Sequence, residues 1–230
     1  MRASVVVFPG SNAEGELARA LGLVLGVAPT LVWHRERELP QGTDLVALPG
    51  GFAHGDHLRC GALARSSPIS GAILHHAMRG GLVLGVCNGF QILTELGLLP
   101  GALLQNAHRR FECRDVFVRV EREGPFTPHR GAVLRLPIAH GEGRFHLDRE
   151  ALSRLEDAEG VALRYCDGSG EISPEANPNG SVHGIAGIYG GPARNVLGLM
   201  PHPERRTEPL HGGTDGRAFF DAARLAVAAL

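Results

Sequence analysis

Residues Gly80 to Leu98 read GGLVLGVCNGFQILTELGL, and no other stretch narrows the fold as far. Leu82, Val83, Leu84 and Val86 form a short, nearly continuous apolar run, the pattern of a strand buried on both faces. Gly85-Val86-Cys87-Asn88-Gly89 follows at once, and Phe90, Gln91, Ile92, Leu93, Leu96 and Leu98 then recur at helical spacing. A strand that turns directly into a helix, with a thiol at the junction and a glycine two residues to either side, is the cysteine form of a nucleophile elbow. The turn leaves little room for side chains at its crossing points, so Gly85 and Gly89 fit there. Cys87 then lies at the mouth of the sheet beside the first amides of a helix, which favour a thiolate and can donate to a developing oxyanion. The same residues also describe a buried core cysteine between an ordinary strand and helix.

Before the elbow, Ser4 to Phe8 reads as a strand, Pro9 to Asn12 as a turn, and 14–25 as a helix with Leu17, Ala20, Leu21 and Val24 on one face. Thr30 to Trp33 and Leu45 to Leu48 read as further strands, 57–66 as a short helix and Ile69 to Met78 as a longer one. Short strands alternating with helices predict a parallel α/β sheet. The third strand runs into Pro49-Gly50-Gly51-Phe52-Ala53-His54-Gly55-Asp56. Ligands of such sheets bind beyond the carboxyl ends of the strands. This loop is therefore either an ordinary turn or a set of bare amides, that of Gly51 above all, facing the thiol.

Beyond Leu99-Pro100-Gly101 the character changes. Asn106 to Arg114 is basic, which suits a solvated surface, a partner protein or a phosphorylated ligand equally. Asp115 to Val120 and Ala132 to Leu136 look antiparallel, with one face wet. Pro137 to Phe145, PIAHGEGRF, reads as a glycine-rich loop, and 167–181 as a surface loop between strands near 161–165 and 184–189. Asn195 to Met200 is another strand and ends in Pro201-His202-Pro203-Glu204, where an imidazole and a carboxylate two residues apart can point the same way. Alone this is a proline-rich turn with charged side chains. With the elbow it completes a nucleophile, base and orienter in the order Cys87, His202, Glu204. Gly216 to Leu230 reads as an amphipathic helix.

Composition excludes several classes. With 23 Lys and Arg against 24 Asp and Glu, no charge excess points to nucleic acid. No apolar run approaches the roughly 18 residues of a membrane span. MRASVVVFPG moves straight into a strand pattern without a leader. Cys60, Cys87, Cys113 and Cys166 are spaced neither as a zinc site nor as a disulfide framework, and a reduced, cytoplasmic location suits a reactive thiol. His75 and His76 have no acid or cysteine at metal spacing, so no metal is expected. The dinucleotide and P-loop glycine patterns are absent, which argues against NAD and P-loop ATP.

A thiol with a histidine and an acid is an acyl-transfer arrangement, which leaves amides, esters and peptides open as substrates. The motifs narrow this. FPGSN at 8–12, LPGGFAHGDHLRCGALAR at 48–65, GVCNGFQILTELGLLPGAL at 85–103, RFECR at 110–114, PIAHGEGRF at 137–145, ANPNGS at 176–181 and MPHPER at 200–205 together resemble the class I, triad-type glutamine amidotransferases. Within that group they resemble the glutaminase subunits of phosphoribosylformylglycinamidine synthase. The resemblance implies one domain over 1–230 with a flavodoxin-like α/β fold: an open, mostly parallel sheet with helices on both faces and added antiparallel strands. It implies Cys87 as nucleophile, His202 as base, Glu204 as orienter, and Gly51 and Asn88 as the oxyanion hole. Gly51, Gln91, His140 and Gly141 would line bound L-glutamine.

The resemblance further implies no cofactor in this chain. Ammonia would pass to a large synthase subunit of the PurL type that uses ATP and Mg²⁺, with a small bridging subunit of the PurS type, and docking would complete the site through 51–58 and 106–114. Two departures stand out: Ala13 where such chains usually carry cysteine, and GGFAHGDHLR in place of the commoner GGFSYGDYLR, which puts His54 and His57 at two positions. A hydrolase of the DJ-1/PfpI type or a cysteine peptidase would share the elbow but not the HPE segment or the glutamine loops. A non-catalytic subunit would not need all three triad members.

Overall fold

The computed structural model describes residues 1–229. The strands are β1 (Ala3–Val7), β2 (Thr30–Trp33), β3 (Leu45–Leu48), β4 (Leu82–Val86), β5 (Ala102–Leu104), β6 (Glu112–Val120), β7 (Val133–His140), β8 (Arg144–His146), β9 (Val161–Cys166), β10 (Ile185–Gly190) and β11 (Val196–Leu199). The helices are α1 (Glu14–Leu25), α2 (Ser70–Met78), α3 (Asn88–Glu95), α4 (Arg149–Asp157) and α5 (Arg217–Ala228).

Nine strands form one sheet in the order β2-β1-β3-β4-β11-β10-β9-β6-β7, and β5 pairs with β8 beside it. From β2 to β11 the ladders are parallel, and from β11 to β7 they are antiparallel. β3, β4 and β11 are buried at every position, as their unbroken apolar runs require. The crossover through α1 steps one way along the sheet and that through α2 the other, so right-handed crossovers place the two helices on opposite faces. α5 packs against α1 and buries Phe219, Phe220 and Ala223. This is the expected α/β sheet with its antiparallel extension.

A flat sheet would put β7 five strand spacings from β4, roughly 24 Å away. Yet the Cys87 Sγ lies 3.8 Å from the Ala139 carbonyl oxygen on β7. The antiparallel half therefore curls back over the carboxyl ends of the parallel half. The register between β9 and β10 is irregular on either side of Gly187, a ladder fault of the kind that lets a strand bend.

Several local expectations change. Pro137 to His140 belongs to β7, not to a loop, and only 141–143 form the turn into β8. Pro137 is tolerated because β7 is an edge strand, where a missing N–H leaves no ladder partner unmet. The segment 57–66 is not a helix throughout: a 3-10 turn covers Ala62–Ser66, and Leu58 has φ 72°, which no right-handed helix admits. α4 was not expected; Asp148 caps it by accepting from the Ala151 N–H at 2.8 Å, and Leu152 and Leu155 fix it to the core. The 167–181 loop is ordered, with Asn179 Nδ2 donating to the Gly143 carbonyl at 2.9 Å.

α3 lies against the sheet through its glycine. A Cβ on Gly89 would stand 2.1 Å from the Leu48 carbonyl oxygen, and one on Gly85 would stand 2.7 Å from the Gly89 backbone. Gly89→Ala should therefore lower stability by roughly 3 kcal/mol, read as a fall in the urea midpoint, because backbone faces the methyl and cannot yield.

Candidate active site

β1, β3, β4 and β11 deliver their carboxyl ends to one place, beside the point where the strand order reverses around β1. Cys87 leaves β4 with φ 52° and ψ −105°, outside the ordinary regions for a residue with a side chain. The neighbouring strand holds this strained elbow: the Cys87 N–H donates to the Leu199 carbonyl at 2.8 Å. The thiol is almost fully buried.

His202 follows β11 between two prolines. Pro203 biases it to an extended backbone, φ −102° and ψ 90°, and its N–H donates to the Pro137 carbonyl of β7 at 2.8 Å. Its Nδ1 lies 2.5 Å from the Glu204 Oε1, and both residues are 2 % exposed. Burial alone would lower the His202 pKa, but the Glu204 carboxylate and the Cys87 thiol outweigh it and hold the imidazole in its protonated form well above the usual range. Such a buried pair adds little net stability, because desolvation consumes much of the attraction. Its value is orientation: with Nδ1 committed to Glu204, Nε2 makes no other hydrogen bond and is left for the thiol. Gly50 makes this packing possible, since a Cβ there would come within 2.8 Å of His202 Cε1 and 3.5 Å of Cys87 Cβ.

Ser11 and Gly51 face each other across a two-bond bridge, Phe52 N–H to the Gly10 carbonyl at 2.8 Å and Asn12 N–H to the Gly50 carbonyl at 3.3 Å. The Gly51 N–H lies between these bonds and enters neither. Its φ of +147° and the 2.7 Å a Cβ would leave to Ser11 Cα admit only glycine. The Asn88 N–H opens α3, where the first donors have no helical partner. Its side chain ties that helix to the 51–56 loop, accepting from the Ala53 N–H at 2.9 Å and donating to Gln91 Oε1 at 2.8 Å and Asp56 Oδ1 at 3.3 Å. The two backbone donors are thus held on linked elements.

Cys87, His202, Gly51, Gln91, His140 and Gly141 line one cavity of about 300 Å³, the size of a small-molecule site. Gln91 is buried there, not on the surface, and its Nε2 donates to the Glu142 carbonyl at 2.7 Å. His140 Nδ1 meets Asn106 Oδ1 at 3.1 Å, and its Nε2 is buried without a partner. Burial, helped by the charge of His202, pushes the His140 pKa down to about 4, so it is neutral. Asn88 does not itself line the cavity; only its backbone N–H is at issue. A larger open recess of about 1050 Å³, including Arg37, His75 and Arg79, holds none of these residues.

Sequence reasoning passed over Asn12, Asp56, Cys60, Phe111, Glu142 and Arg205, which share the cavity. All six fall inside quoted motifs, Phe111 within RFECR, which was the available signal. Cys60 is a second thiol in the pocket, but burial and the neighbouring Glu142 and Asp56 carboxylates push it far above the ordinary range, so it stays protonated and does not compete with Cys87. Of the departures, Ala13 packs behind Gly50, and His54 packs on His34 and approaches Ser67 Oγ at 3.4 Å. Both shape loop packing beneath the site. Phe111 and Phe52 are exposed at the mouth, and the arginines at 109, 110 and 114 face solvent, Arg114 paired with Glu112.

Residues 1–214 match the model of the CobB/CobQ-like glutamine amidotransferase domain. The chain belongs to this glutamine amidotransferase family. The amidotransferase is 53 % identical over 223 residues to the phosphoribosylformylglycinamidine synthase subunit PurQ of Bradyrhizobium diazoefficiens, covering 96 % of this chain and 95 % of the relative. It is 48 % identical over 225 residues to the PurQ of Gloeobacter violaceus, with 96 % of each covered. Among solved structures it superposes on a chain of PurLQS from Thermotoga maritima with a TM-score of 0.85 at 41 % identity, covering 98 % of both. Among the amidotransferase's described residues, no helix is long and apolar enough to cross a membrane, and no group of three or more His, Cys, Asp or Glu side chains is arranged to hold a metal ion.

Because the folded His202 pKa lies above its unfolded value, the proton that His202 holds contributes stability fully below about pH 6.5, and this is lost as pH rises into the alkaline range. Glu204→Gln removes the main opposing charge, so burial then pulls the His202 pKa down. Chemical unfolding measured across pH 6 to 10 should show this alkaline loss in the wild type and flatten it in the variant, and alkylation of Cys87 by iodoacetamide should slow in the variant at neutral pH.

Proposed function

We propose that this chain is the glutaminase subunit of a phosphoribosylformylglycinamidine synthase, a single amidotransferase domain over 1–230 that hydrolyses L-glutamine in purine biosynthesis. The observation that carries the reading is the buried Cys87–His202–Glu204 constellation, whose Cys87 and His202 line one cavity together with Gly51 and its uncommitted N–H. Identity across nearly the whole chain to proteins named PurQ supports the choice of subunit.

The Cys87 thiolate attacks the carboxamide carbon of glutamine. The oxygen, now negative, takes hydrogen bonds from the Gly51 and Asn88 N–H groups, each worth roughly 3 kcal/mol in such sites. The His202 imidazolium, held by Glu204, gives its proton to the departing nitrogen, and ammonia leaves. Water, deprotonated by His202, then attacks the thioester and releases glutamate. Neutral His140, Gly141 and the Gln91 amide border the bound substrate.

This chain needs no cofactor for that half-reaction. The ammonia passes to a separate PurL-type subunit that spends ATP with Mg²⁺, with a PurS-type subunit bridging the two, in the cytoplasm. The PurLQS assembly named for the Thermotoga maritima structure supports these partners. The 51–58 loop is where docking acts: His54, Asp56 and Leu58 all have left-handed backbones, and Phe52 and Leu58 are exposed. Each such residue stores about 1 kcal/mol or more that a partner contact can offset.

Cys87→Ala should abolish glutamine-dependent amidine synthesis by the reconstituted complex and leave ammonia-dependent synthesis intact. Retention of glutamine-dependent synthesis would overturn the mechanism. The free subunit should turn over glutamine more slowly than the assembled complex, as steady-state glutamate release measures; equal rates would remove docking from the account.

A further inference from the structure

A recess of about 480 Å³ opens at the carboxyl end of β2 and shares no residue with the catalytic cavity. Open α/β sheets hold their ligands at such strand ends. Its polar lining is His34, Arg35, Arg37, His54, Ser66 and Ser67, and no acidic residue lines it. Among the described residues neither Arg35 nor Arg37 has a hydrogen bond or an ion pair, whereas Arg19, Arg59 and Arg205 are each held by a carboxylate. The two histidines come from separate elements and meet over the end of β1, where Phe8 packs against both rings. Their ring centroids stand 5.2 Å apart. His34 Nδ1 lies 3.0 Å and His54 Nε2 3.4 Å from the one Ser67 hydroxyl. That hydroxyl has a single proton, so it can donate to only one imidazole. Burial first, then the positive charges of His54 and Arg35, hold the His34 pKa below its usual value.

Positive charge and spare donors gathered in a concave recess without an acid describe a site for a compact anion. Two arginine forks suit the several oxygens of a phosphate group better than the two of a carboxylate. The chain's net charge of −1 makes this field local, which fits one phosphate group and not a nucleic-acid backbone. Leu63 and Pro68 add an apolar wall for whatever the phosphate is attached to. We propose that the recess binds a phosphate group, free or as the monoester of a small metabolite, and that the bound anion braces the loop after β3 through His54. His54 stands three residues beyond Gly51 with φ 55°, and its N–H donates to the Pro9 carbonyl at 2.6 Å. An anion between His54, His34 and the arginines turns their mutual repulsion into shared attraction and holds that strained segment in place.

Titration of the full chain with inorganic phosphate and, separately, with glycerol 3-phosphate tests the site, with ionic strength held constant by potassium chloride. Binding is read as heat and as emission of Trp33, the chain's one tryptophan, whose ring lies edge-on to His34 at 4.7 Å. Both signals should saturate together. Tighter binding of the ester assigns the recess to a monoester, and tighter binding of inorganic phosphate assigns it to the free ion. Arg35→Gln and Arg37→Gln should each weaken binding roughly 10-fold or more, as expected for loss of a charge-assisted hydrogen bond. Arg154→Gln removes the same charge from α4 and should leave the Kd within about twofold. Hydrogen exchange across 51–58 should slow once phosphate saturates the wild type. No saturable signal in heat or emission, or equal weakening in all three variants, overturns the site. Saturation with unchanged exchange at 51–58 overturns the bracing. No glutamine is turned over in these measurements, so they stand apart from the glutaminase reading.

Discussion

Everything at this site depends on how closely α3 lies on the end of the sheet. Gly89 touches the Leu48 carbonyl at a separation no side chain would allow, and Gly85 leaves room for the returning backbone. That contact turns Cys87 out of β4 in a strained conformation and leaves the unpartnered first amides of α3 directly after it. It also sets α3 against the loop after β3, so that Asn88 can reach Ala53 and hold the Gly51 donor in line. Side-chain chemistry comes second: Glu204 and His202 act on a thiol whose position the backbone has already settled.

The charge pattern follows a similar division. The buried His202–Glu204 pair costs desolvation and returns geometry, with an imidazole that has one nitrogen committed and one free. His140, equally buried but without a carboxylate, is driven the other way and stays neutral. Two histidines in one cavity thus hold opposite charge states, and the difference comes from the Glu204 carboxylate and the Cys87 thiol beside one of them. Cys60 is kept protonated by burial and by the acids beside it.

What could be read from the sequence was local. The elbow shows in GVCNG because the turn itself demands the glycines, and HPE shows because the orienter stands two residues from the base. The parallel strands β3, β4 and β11 show as apolar runs for the same reason that they are buried on both faces. Pro137 misled because proline argues against a strand, and only knowledge that β7 lies at an edge reverses the argument. α4 is short and held mainly by Leu152 and Leu155, a pattern too brief to stand out. Asp56, Cys60 and Glu142 come together through the curl of the sheet, a long-range property with no local signature. His140 and Gly141 were placed at the pocket by resemblance; their own residues had suggested only a loop.

That curl divides the catalytic apparatus between two halves of one sheet. The parallel half carries Cys87, His202, Gly51 and Asn88; the antiparallel half carries Ala139, His140 and Glu142 as the facing wall. Between them runs β10, which contributes nothing to the cavity, and its Gly187 packs so tightly against Gly198 and Leu199 that a Cβ would come within 2.9 Å of backbone oxygen. The width of the cavity is therefore set as an arch sets its span, by the angle of stones that the opening never touches. The shape of the pocket is thus partly written in sheet curvature, and a change in that curvature would alter it without altering a single residue of the lining.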